Sequence, residues 1–355
     1  MPPPVKAEEY YKGYLVNRDQ MEGDPHFSMG CEFCHKGDET GVNKDAAHRG
    51  LVPRPSDDLK SCGLCHEQIA AKYSQSLHFT AAGLREGISR RFSAAELKKF
   101  DEKVFQQSCR SCHASCGDCH VKGPSVGGIS TGLIKGHKFI RKDEGKTCAA
   151  CHGGRIYPEY TGEYGGEPDI HYERGMLCMD CHQLPEFHGD GAMYKSMRMI
   201  PNRPDCKTCH KLGGEKKLYT RTAHDKHQGR VSCYGCHSSG SYRHCYNCHA
   251  GQNGTSKPVF LLGVNPRDPK TVTTLRLTPT VRDTFEKAGI RMEKFDTQPN
   301  YWDAPVHNVR KKTERTRSCD ACHVERTGFL TKGRLIENGS RANERLIVVP
   351  KPISR

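Results

Sequence analysis

Cysteine and histidine recur along this chain in one fixed pattern. The stretch CRSCHASCGDCH, residues 109–120, contains the pentapeptide C-x-x-C-H twice, and the 355-residue chain contains it ten times. All 20 cysteines lie in these pentapeptides: Cys31, Cys34, Cys62, Cys65, Cys109, Cys112, Cys116, Cys119, Cys148, Cys151, Cys178, Cys181, Cys206, Cys209, Cys233, Cys236, Cys245, Cys248, Cys319 and Cys322. Each pentapeptide ends in a histidine: His35, His66, His113, His120, His152, His182, His210, His237, His249 and His323. Two thiols at this spacing, followed at once by a ring nitrogen, can hold a prosthetic group covalently and bind its metal.

The pentapeptide is the attachment signature of c-type haem. The two thiols form thioethers with the haem vinyl groups, and the histidine binds one face of the iron. Zinc ribbons also use C-x-x-C pairs, and disulfide frameworks also use paired cysteines, but neither needs a histidine directly after the second cysteine. The sequence therefore predicts ten covalently attached haem c groups.

Ten further histidines lie outside the pentapeptides. They are His26, His48, His78, His137, His171, His188, His224, His227, His244 and His307. One lies in the interval before each motif, except that the fourth interval has none and the eighth has two. Ten haems have ten vacant faces, so we expect these lone histidines to be the second axial ligands. Methionine is the alternative sixth ligand for one or two haems, since several methionines lie between Met176 and Met199.

Spacing also predicts which haems are neighbours. His113 and His120 are seven residues apart, and His237 and His249 are twelve apart, so haems three and four, and eight and nine, should lie close together. His171, His227 and His244 come so soon before the next motif that they cannot easily reach the far face of its haem. We expect each of these three to ligate a haem other than the one attached by the motif that follows it.

The composition favours a shell around cofactors over an ordinary core. Ten haems share 355 residues, about 36 residues each, and only 35% of the residues are hydrophobic. The fold class we predict is mainly irregular and α: a loop-rich shell with short helices and few strands, wrapped around a closely packed array of ten c-type haems. Folding should then depend on cofactor attachment.

Four segments are predicted along the chain: a lead-in (1–30), a nine-haem array (31–250), a haem-free insert (251–318), and the tenth motif with its tail (319–355). Residues 94–108 should form a helix that begins at a capping box of Ser93 and Glu96. The insert holds two strand candidates and a helix candidate, and the tail holds a lone strand candidate. These candidates are VFLLGV from Val259, TVTTLRL from Thr271, the helix from Val281 to Ala288, and RLIVVP from Arg345 to Pro350.

The basic charge does not indicate nucleic acid. The formal net charge is +14, but each oxidised bis-histidine haem adds about −1, which leaves roughly +4. The basic run RKKTERTR, residues 310–317, is interpreted as propionate pairing or a solvated face, with a docking patch as the alternative. No apolar signal segment opens the chain and no stretch is long enough to span a membrane. Haem attachment of this type takes place outside the cytoplasm, so we expect an exported protein, periplasmic or extracellular.

The ten pentapeptides, which run from Cys31 to His323, resemble those of the multihaem c-type cytochromes. The resemblance implies an electron carrier that works by haem-to-haem transfer, with redox proteins or extracellular electron acceptors as partners. Histidine on both faces of each iron leaves no open position for a substrate, so no catalytic residue is expected. A purely structural or haem-storage role is a weaker hypothesis.

Reductases of nitrogen or sulfur oxyanions are the main alternative, because such enzymes need one open haem. All ten motifs end in histidine, which excludes the reductases that use a lysine there. If one haem is open, the fourth is the candidate, since its interval contributes no histidine. Arg155, His171, Tyr172 and His188 are then candidate pocket residues.

A homopolymer is a further hypothesis. Filament-forming extracellular cytochromes have haem sites near both ends, and this chain is similar. The lone strand RLIVVP also has no obvious partner near it in the sequence. A discrete protein with internally packed tails is the alternative.

Overall fold

A computed structural model describes the chain at residues 19, 21–112, 114–121, 125–126, 129–130, 139, 146–163, 166–240, 259–278 and 280–353. The chain divides into two compact units. The first unit comprises Met1–Gly83, Arg110–Ala150 and Cys181–Arg203, and the second comprises Leu84–Cys109, Cys151–Asp180 and Pro204–Arg355. The division into lead-in, array, insert and tail stays a prediction.

The helices of the described residues are short, and loops connect nearly all of them. The α-helices are α1 (Cys31–His35), α2 (Lys44–Ala47), α3 (Lys60–Gly63), α4 (Glu67–Tyr73), α5 (Leu77–Thr80), α6 (Ala82–Ser89), α7 (Ala94–Phe100), α8 (Cys116–His120), α9 (Lys146–His152), α10 (Ile156–Thr161), α11 (Ile170–Glu173), α12 (Cys178–Cys181), α13 (Leu184–His188), α14 (Cys206–Cys209), α15 (Leu218–His227), α16 (Cys233–His237) and α17 (Asp320–His323). The longest, α15, has ten residues. The predicted loop-rich fold with short helices and few strands is confirmed.

Each described C-x-x-C-H motif lies in, or at the edge of, one helical turn. Eight of these turns are α-helical and the third, Cys109–Cys112, is a 3-10 turn. A single turn places residues i and i+3 on the same side, so the two cysteines of a motif face the same way. At three motifs an aspartate fixes the start of the turn: Asp118 accepts from the Ser115 N–H at 2.8 Å, Asp180 from the Leu177 N–H at 2.6 Å, and Asp205 from the Lys207 N–H at 2.8 Å. The ninth motif lies outside the described residues.

The first unit contains a short antiparallel ladder, β1 (Ser125–Val126) with β2 (Ile129–Ser130). The second contains an antiparallel three-stranded sheet of β3 (Leu261–Asn265), β4 (Asp268–Leu277) and β5 (Tyr301–Asp303), in the order β3-β4-β5. The register pairs Leu261 with Leu275, and Leu277 with Tyr301. Both strands predicted in the insert are therefore confirmed, and they form a hairpin.

An aliphatic core covers this sheet, so part of the chain packs without any cofactor. Its buried members are Leu261, Leu275, Leu277, Val281, Tyr301, Leu330, Ile336 and Leu346. A Cβ at Gly263 would lie 2.5 Å from the Leu275 side chain and 2.7 Å from the Leu346 carbonyl, so only glycine permits this close approach. The described insert and the C-terminal tail thus share one core.

The predicted helix over Val281–Ala288 is wrong. Turns lead into a 3-10 helix at Glu286–Ala288, which ends at Gly289 with φ of 69°. The Thr284 hydroxyl donates to the Val281 carbonyl and accepts from the Val281 N–H, at 2.8 and 2.9 Å. Such local side-chain bonds compete with a helical ladder, and the segment is too short to overcome them.

The predicted lone strand RLIVVP is also wrong. Arg345 and Leu346 close a 3-10 helix, Arg341–Leu346, and residues 347–350 adopt no strand. Leu346 is buried in the core of the sheet, and Ile347 packs against it. Burial of one apolar side chain, not strand pairing, explains this apolar run, so it offers no open edge to a second copy.

The predicted helix over 94–108 is confirmed in its first half. α7 ends at Phe100, and a π-helical turn, Asp101–Phe105, continues toward Cys109. The Ser93 hydroxyl accepts from the Glu96 N–H, as expected. The Glu96 carboxylate, however, binds Lys99 Nζ at 2.6 Å and the Arg291 N–H at 2.7 Å. It therefore joins α7 to the segment between residues 277 and 301 instead of closing a capping box.

No helix among the described residues is both long and apolar enough to cross a membrane.

Candidate haem-binding sites

Histidine rings meet in pairs within each unit. Their centroid separations are 6.3 Å for His26 and His66, 5.9 Å for His120 and His188, 5.9 Å for His171 and His210, 6.2 Å for His224 and His237, and 5.9 Å for His227 and His323. Each pair joins one motif histidine to one lone histidine. The pairing therefore follows the two classes defined by the sequence.

This separation is the one expected for two imidazoles on a single metal atom. A metal–nitrogen bond of about 2 Å on each side, with the ring centre just over 1 Å further, places the two centroids about 6 Å apart. Among the described residues, no three His, Cys, Asp or Glu side chains gather into a site for a bare metal ion. The histidines thus meet two at a time, which suits a metal whose remaining positions are filled by a porphyrin.

Acceptors at Nδ1 orient eight of the described histidines. Carboxylates contact Nδ1 of four: Asp24 with His26 and Asp169 with His171 at 2.8 Å, Glu186 with His182 at 3.0 Å, and Glu215 with His224 at 2.7 Å. Backbone carbonyls do so for the other four: Val52 with His35 at 2.9 Å, Ala223 with His227 at 2.7 Å, Arg310 with His237 at 3.1 Å, and Lys351 with His323 at 2.6 Å. A proton on Nδ1 leaves the Nε2 lone pair for a metal, the usual arrangement of a metal-ligating histidine.

The four carboxylates were missed by the sequence analysis, although two carry a local signal. Asp24 and Asp169 each precede their histidine by two residues, and each also accepts the backbone N–H of that histidine, at 2.9 and 2.8 Å. The pattern D-x-H thus fixes both the backbone and the ring. Glu215 lies nine residues from His224, too far for any local rule.

Burial disfavours the charged form of three histidines. It lowers the pKa of His78, of His188 and of His237, because a charged imidazolium is disfavoured away from water. His78 also interacts electrostatically with His182 and His188. Its ring lies 5.9 Å from that of Phe187, which is itself 6.3 Å from that of His182. A neutral imidazole is the form that binds a metal.

Thiols of different motifs also meet. The Cys62 side chain lies close to that of Cys116 in the first unit, and the Cys206 side chain lies close to that of Cys233 in the second. The thiols of Cys236 and Cys322 interact electrostatically. Motif two therefore adjoins motif four, motif seven adjoins motif eight, and motif eight adjoins motif ten.

Exposed apolar side chains stand beside the motifs. They are Leu64, Leu177, Leu184, Leu212 and Val324, each inside a motif or within two residues of one. Single exposed apolar residues are ordinary, but their repeated place next to a motif fits a porphyrin face that covers them. The paired rings, the Nδ1 acceptors and these side chains all fit covalently attached haem.

Residues 61–153 match the family model for cytochrome c554 and c-prime. The match covers 93 of 355 residues, about a quarter of the chain, and includes four of the ten motifs. The match supports a c-type cytochrome. Haem c, bound covalently, is the cofactor of that class. The curated proteins and the solved structures gave no significant match.

The histidine of the fourth motif faces a lone histidine from later in the chain, since the His120 and His188 ring centroids are 5.9 Å apart. An open fourth haem stays a hypothesis. Of the candidate pocket residues, His171 pairs with His210 and Arg155 contacts the carboxylate of Glu159 at 3.4 Å. Tyr172 packs edge-on against Tyr160.

His307 lies in a buried ionic group of the second unit. Its N–H donates to Glu159 at 3.3 Å, and its Nδ1 is 3.9 Å from the same carboxylate. Burial raises the pKa of Glu159 to about 7, against the effect of Arg155. His48 is exposed at the end of α2. The remaining predicted site residues lie outside the described part of the chain: the Cys112 side chain, His113, His137, His244, Cys245, Cys248 and His249.

The basic run 310–317 lies along the eighth motif. Arg310 accepts from His237 Nδ1 through its carbonyl, and its N–H donates to the His237 carbonyl at 2.8 Å. Arg315 is buried and donates to the Gly235 carbonyl inside the motif, at 3.4 Å. At least two members of the run therefore support a motif and are not part of a solvated face.

Proposed function

We propose that this chain holds ten haem c groups, each fixed by two motif cysteines, one motif histidine and one lone histidine, and that it carries electrons between them. The observation that supports this most is the set of five histidine pairs at 5.9–6.3 Å. Haem supplies one-electron redox chemistry, and the chain's own part is to ligate, space and tune it.

The pairs suggest five axial sets. They are His66 with His26, His120 with His188, His210 with His171, His237 with His224, and His323 with His227. In this scheme His171 and His227 ligate a haem other than the one attached just after them in the chain. His78 is the proposed partner of His182.

An electron carrier is favoured over a reductase because each of the five histidine pairs would occupy both faces of its iron. A test is to reduce the protein and follow its reoxidation by stopped flow. Small redox proteins or other one-electron acceptors should reoxidise it fully. Nitrite, hydroxylamine or sulfite should leave it reduced. Saturable reoxidation by one of these small molecules would instead favour the reductase.

We also propose that the protein works after export, in the periplasm or outside the cell, with redox proteins or extracellular acceptors as partners. The chemistry of covalent haem attachment supports export. A homopolymer stays an untested alternative, and its strand argument is lost because the tail packs on its own sheet.

A further inference from the structure

Motif eight of the second unit has both motif seven and motif ten as neighbours. The Cys206 side chain lies close to that of Cys233, and Cys236 lies close enough to Cys322 to interact with it electrostatically. His210 also interacts electrostatically with His237.

A single helix also joins motifs eight and ten. α15 carries His224, which faces His237 of motif eight, and His227, which faces His323 of motif ten. Residues three apart on a helix are neighbours on one face, with Cβ atoms about 5–6 Å apart. The lone histidines for motifs eight and ten are therefore held side by side.

Carboxylates distinguish motifs seven and eight from motif ten. Asp169 accepts from His171 at 2.8 Å on the seventh, and Glu215 accepts from His224 at 2.7 Å on the eighth. At the tenth, both histidines donate to backbone carbonyls, those of Ala223 and Lys351. A carboxylate behind an imidazole makes it a more basic ligand, which favours the oxidised metal; a neutral carbonyl does so less.

A buried cation acts in the opposite direction at motifs eight and ten. Arg315 is 6% exposed, and its described hydrogen bonds go to the Gly235 carbonyl, the Ser238 hydroxyl and the Phe260 carbonyl, none of which carries a charge. Its turn, Glu314–Thr316, packs on both α16 and α17, and the guanidinium interacts with Cys236 and Cys322. Arginine stays charged even when buried, and a charge away from water is weakly screened.

A glycine makes room for this cation. Gly328 has φ of 75°, and a Cβ there would lie 2.8 Å from one guanidinium nitrogen of Arg315. The guanidinium therefore lies directly against this glycine, beside the two motifs. A fixed cation favours the less positive, reduced state of a nearby redox centre.

We propose that these side chains set a gradient of reduction potential along motifs seven, eight and ten, lowest at seven and highest at ten. Seven has a carboxylate-backed ligand, eight has a carboxylate-backed ligand and the Arg315 charge, and ten has the charge and only carbonyl-backed ligands. Electrons that enter this group collect at the tenth position. The inference rests on the proposed haem ligation.

Potentiometric titration of the intact protein, followed by visible and EPR spectra at fixed pH, tests the gradient. The His171→Ala and His227→Ala variants identify the signals of haems seven and ten, since each removes one low-spin signal. In the unaltered protein, haem ten should be reduced before haem seven. Arg315→Gln should make haems eight and ten about tenfold harder to reduce, a shift of about 59 mV for one electron.

Asp169→Asn should act on haem seven alone and raise its potential, and Glu215→Gln should do the same for haem eight. Arg315→Lys keeps the charge and should restore most of the potential. Arg317→Gln is the matched control, because Arg317 belongs to the same run, is 52% exposed and pairs with Glu325; the potentials should hold.

Equal shifts in Arg315→Gln and Arg317→Gln, or a haem seven that is reduced before haem ten, would overturn the gradient. If Arg315→Gln does not fold, the two carboxylate variants still decide the order. Low-spin spectra with the wrong order would reject the gradient and leave the proposed function intact. A high-spin haem at seven, eight or ten in the unaltered protein would instead reject the ligation itself.

Discussion

A hydrogen bond at Nδ1 orients eight of the described histidines in the way that suits a metal ligand. It selects the tautomer and aims Nε2, so an axial ligand is recognised by the acceptor behind it as well as by its partner ring. Four carboxylates and four carbonyls do this among the described histidines. Exchanging a carboxylate acceptor for a carbonyl changes the basicity of the imidazole without changing which residues are the ligands.

His227→Ala should convert one haem from low-spin to high-spin. The alanine removes one axial ligand, while the thioethers at Cys319 and Cys322 and the ligand His323 hold the haem in place. The EPR spectrum of the oxidised protein should show a new high-spin signal equal to about one haem per chain, with an unchanged haem content by intact mass. Lys226→Ala, one residue away on α15, is the control and should leave the spectrum as it is. An unchanged spectrum in His227→Ala would contradict the pairing with His323.

Helix α15 carries two lone histidines, His224 and His227, so a break in this one helix should affect two haems. Thr222→Pro removes an internal hydrogen bond and clashes with the carbonyl one turn back, at a cost of about 3 kcal/mol or more. The variant should lose the low-spin signals of haems eight and ten together. Leu218→Pro is the control, since proline is tolerated at the first position of a helix. Loss of one signal only would show that the two histidines do not depend on one helix.

The sheet of the second unit should be stabilised by its aliphatic core. Leu275 is fully buried between β3 and β5, and Leu275→Ala should cost about 2–5 kcal/mol of unfolding free energy. Trp302, the only tryptophan, pairs with Arg276 in the same sheet and reports its unfolding in denaturant. Val349→Ala, at a position 61% exposed in the tail, should change stability by less than about 0.5 kcal/mol. Equal effects of the two substitutions would mean that the sheet is held by something other than this core.

Local pattern was enough to predict some elements and not others. The two insert strands follow from β-branched and leucine runs around a turn. The lone strand failed because Leu346 is drawn into a core formed by residues far from it in sequence. The prediction of a helix from Val281 was wrong because the Thr284 hydroxyl bonds the backbone N–H and carbonyl of Val281. The partners of His188 and His227 were equally out of reach of any local rule, since long-range folding brings them to His120 and His323.

On the scale of the whole molecule, the choice lies between a discrete protein and a polymer. In a polymer, His26 near the N-terminus could ligate a haem of the adjacent copy, but its ring faces His66 of its own chain. The C-terminal tail also packs on the sheet of its own chain. We therefore expect single particles by negative-stain microscopy at every concentration tested. Filaments that persist on dilution would contradict this.

The central claim is that every haem of this chain has histidine on both faces. Quantitative EPR of the oxidised protein, set against the haem content by intact mass, tests it most directly. The account predicts ten haems per chain and low-spin ferric signals that integrate to the same number. A high-spin signal near one haem in ten in the unaltered protein, or fewer than ten haems attached, would contradict it.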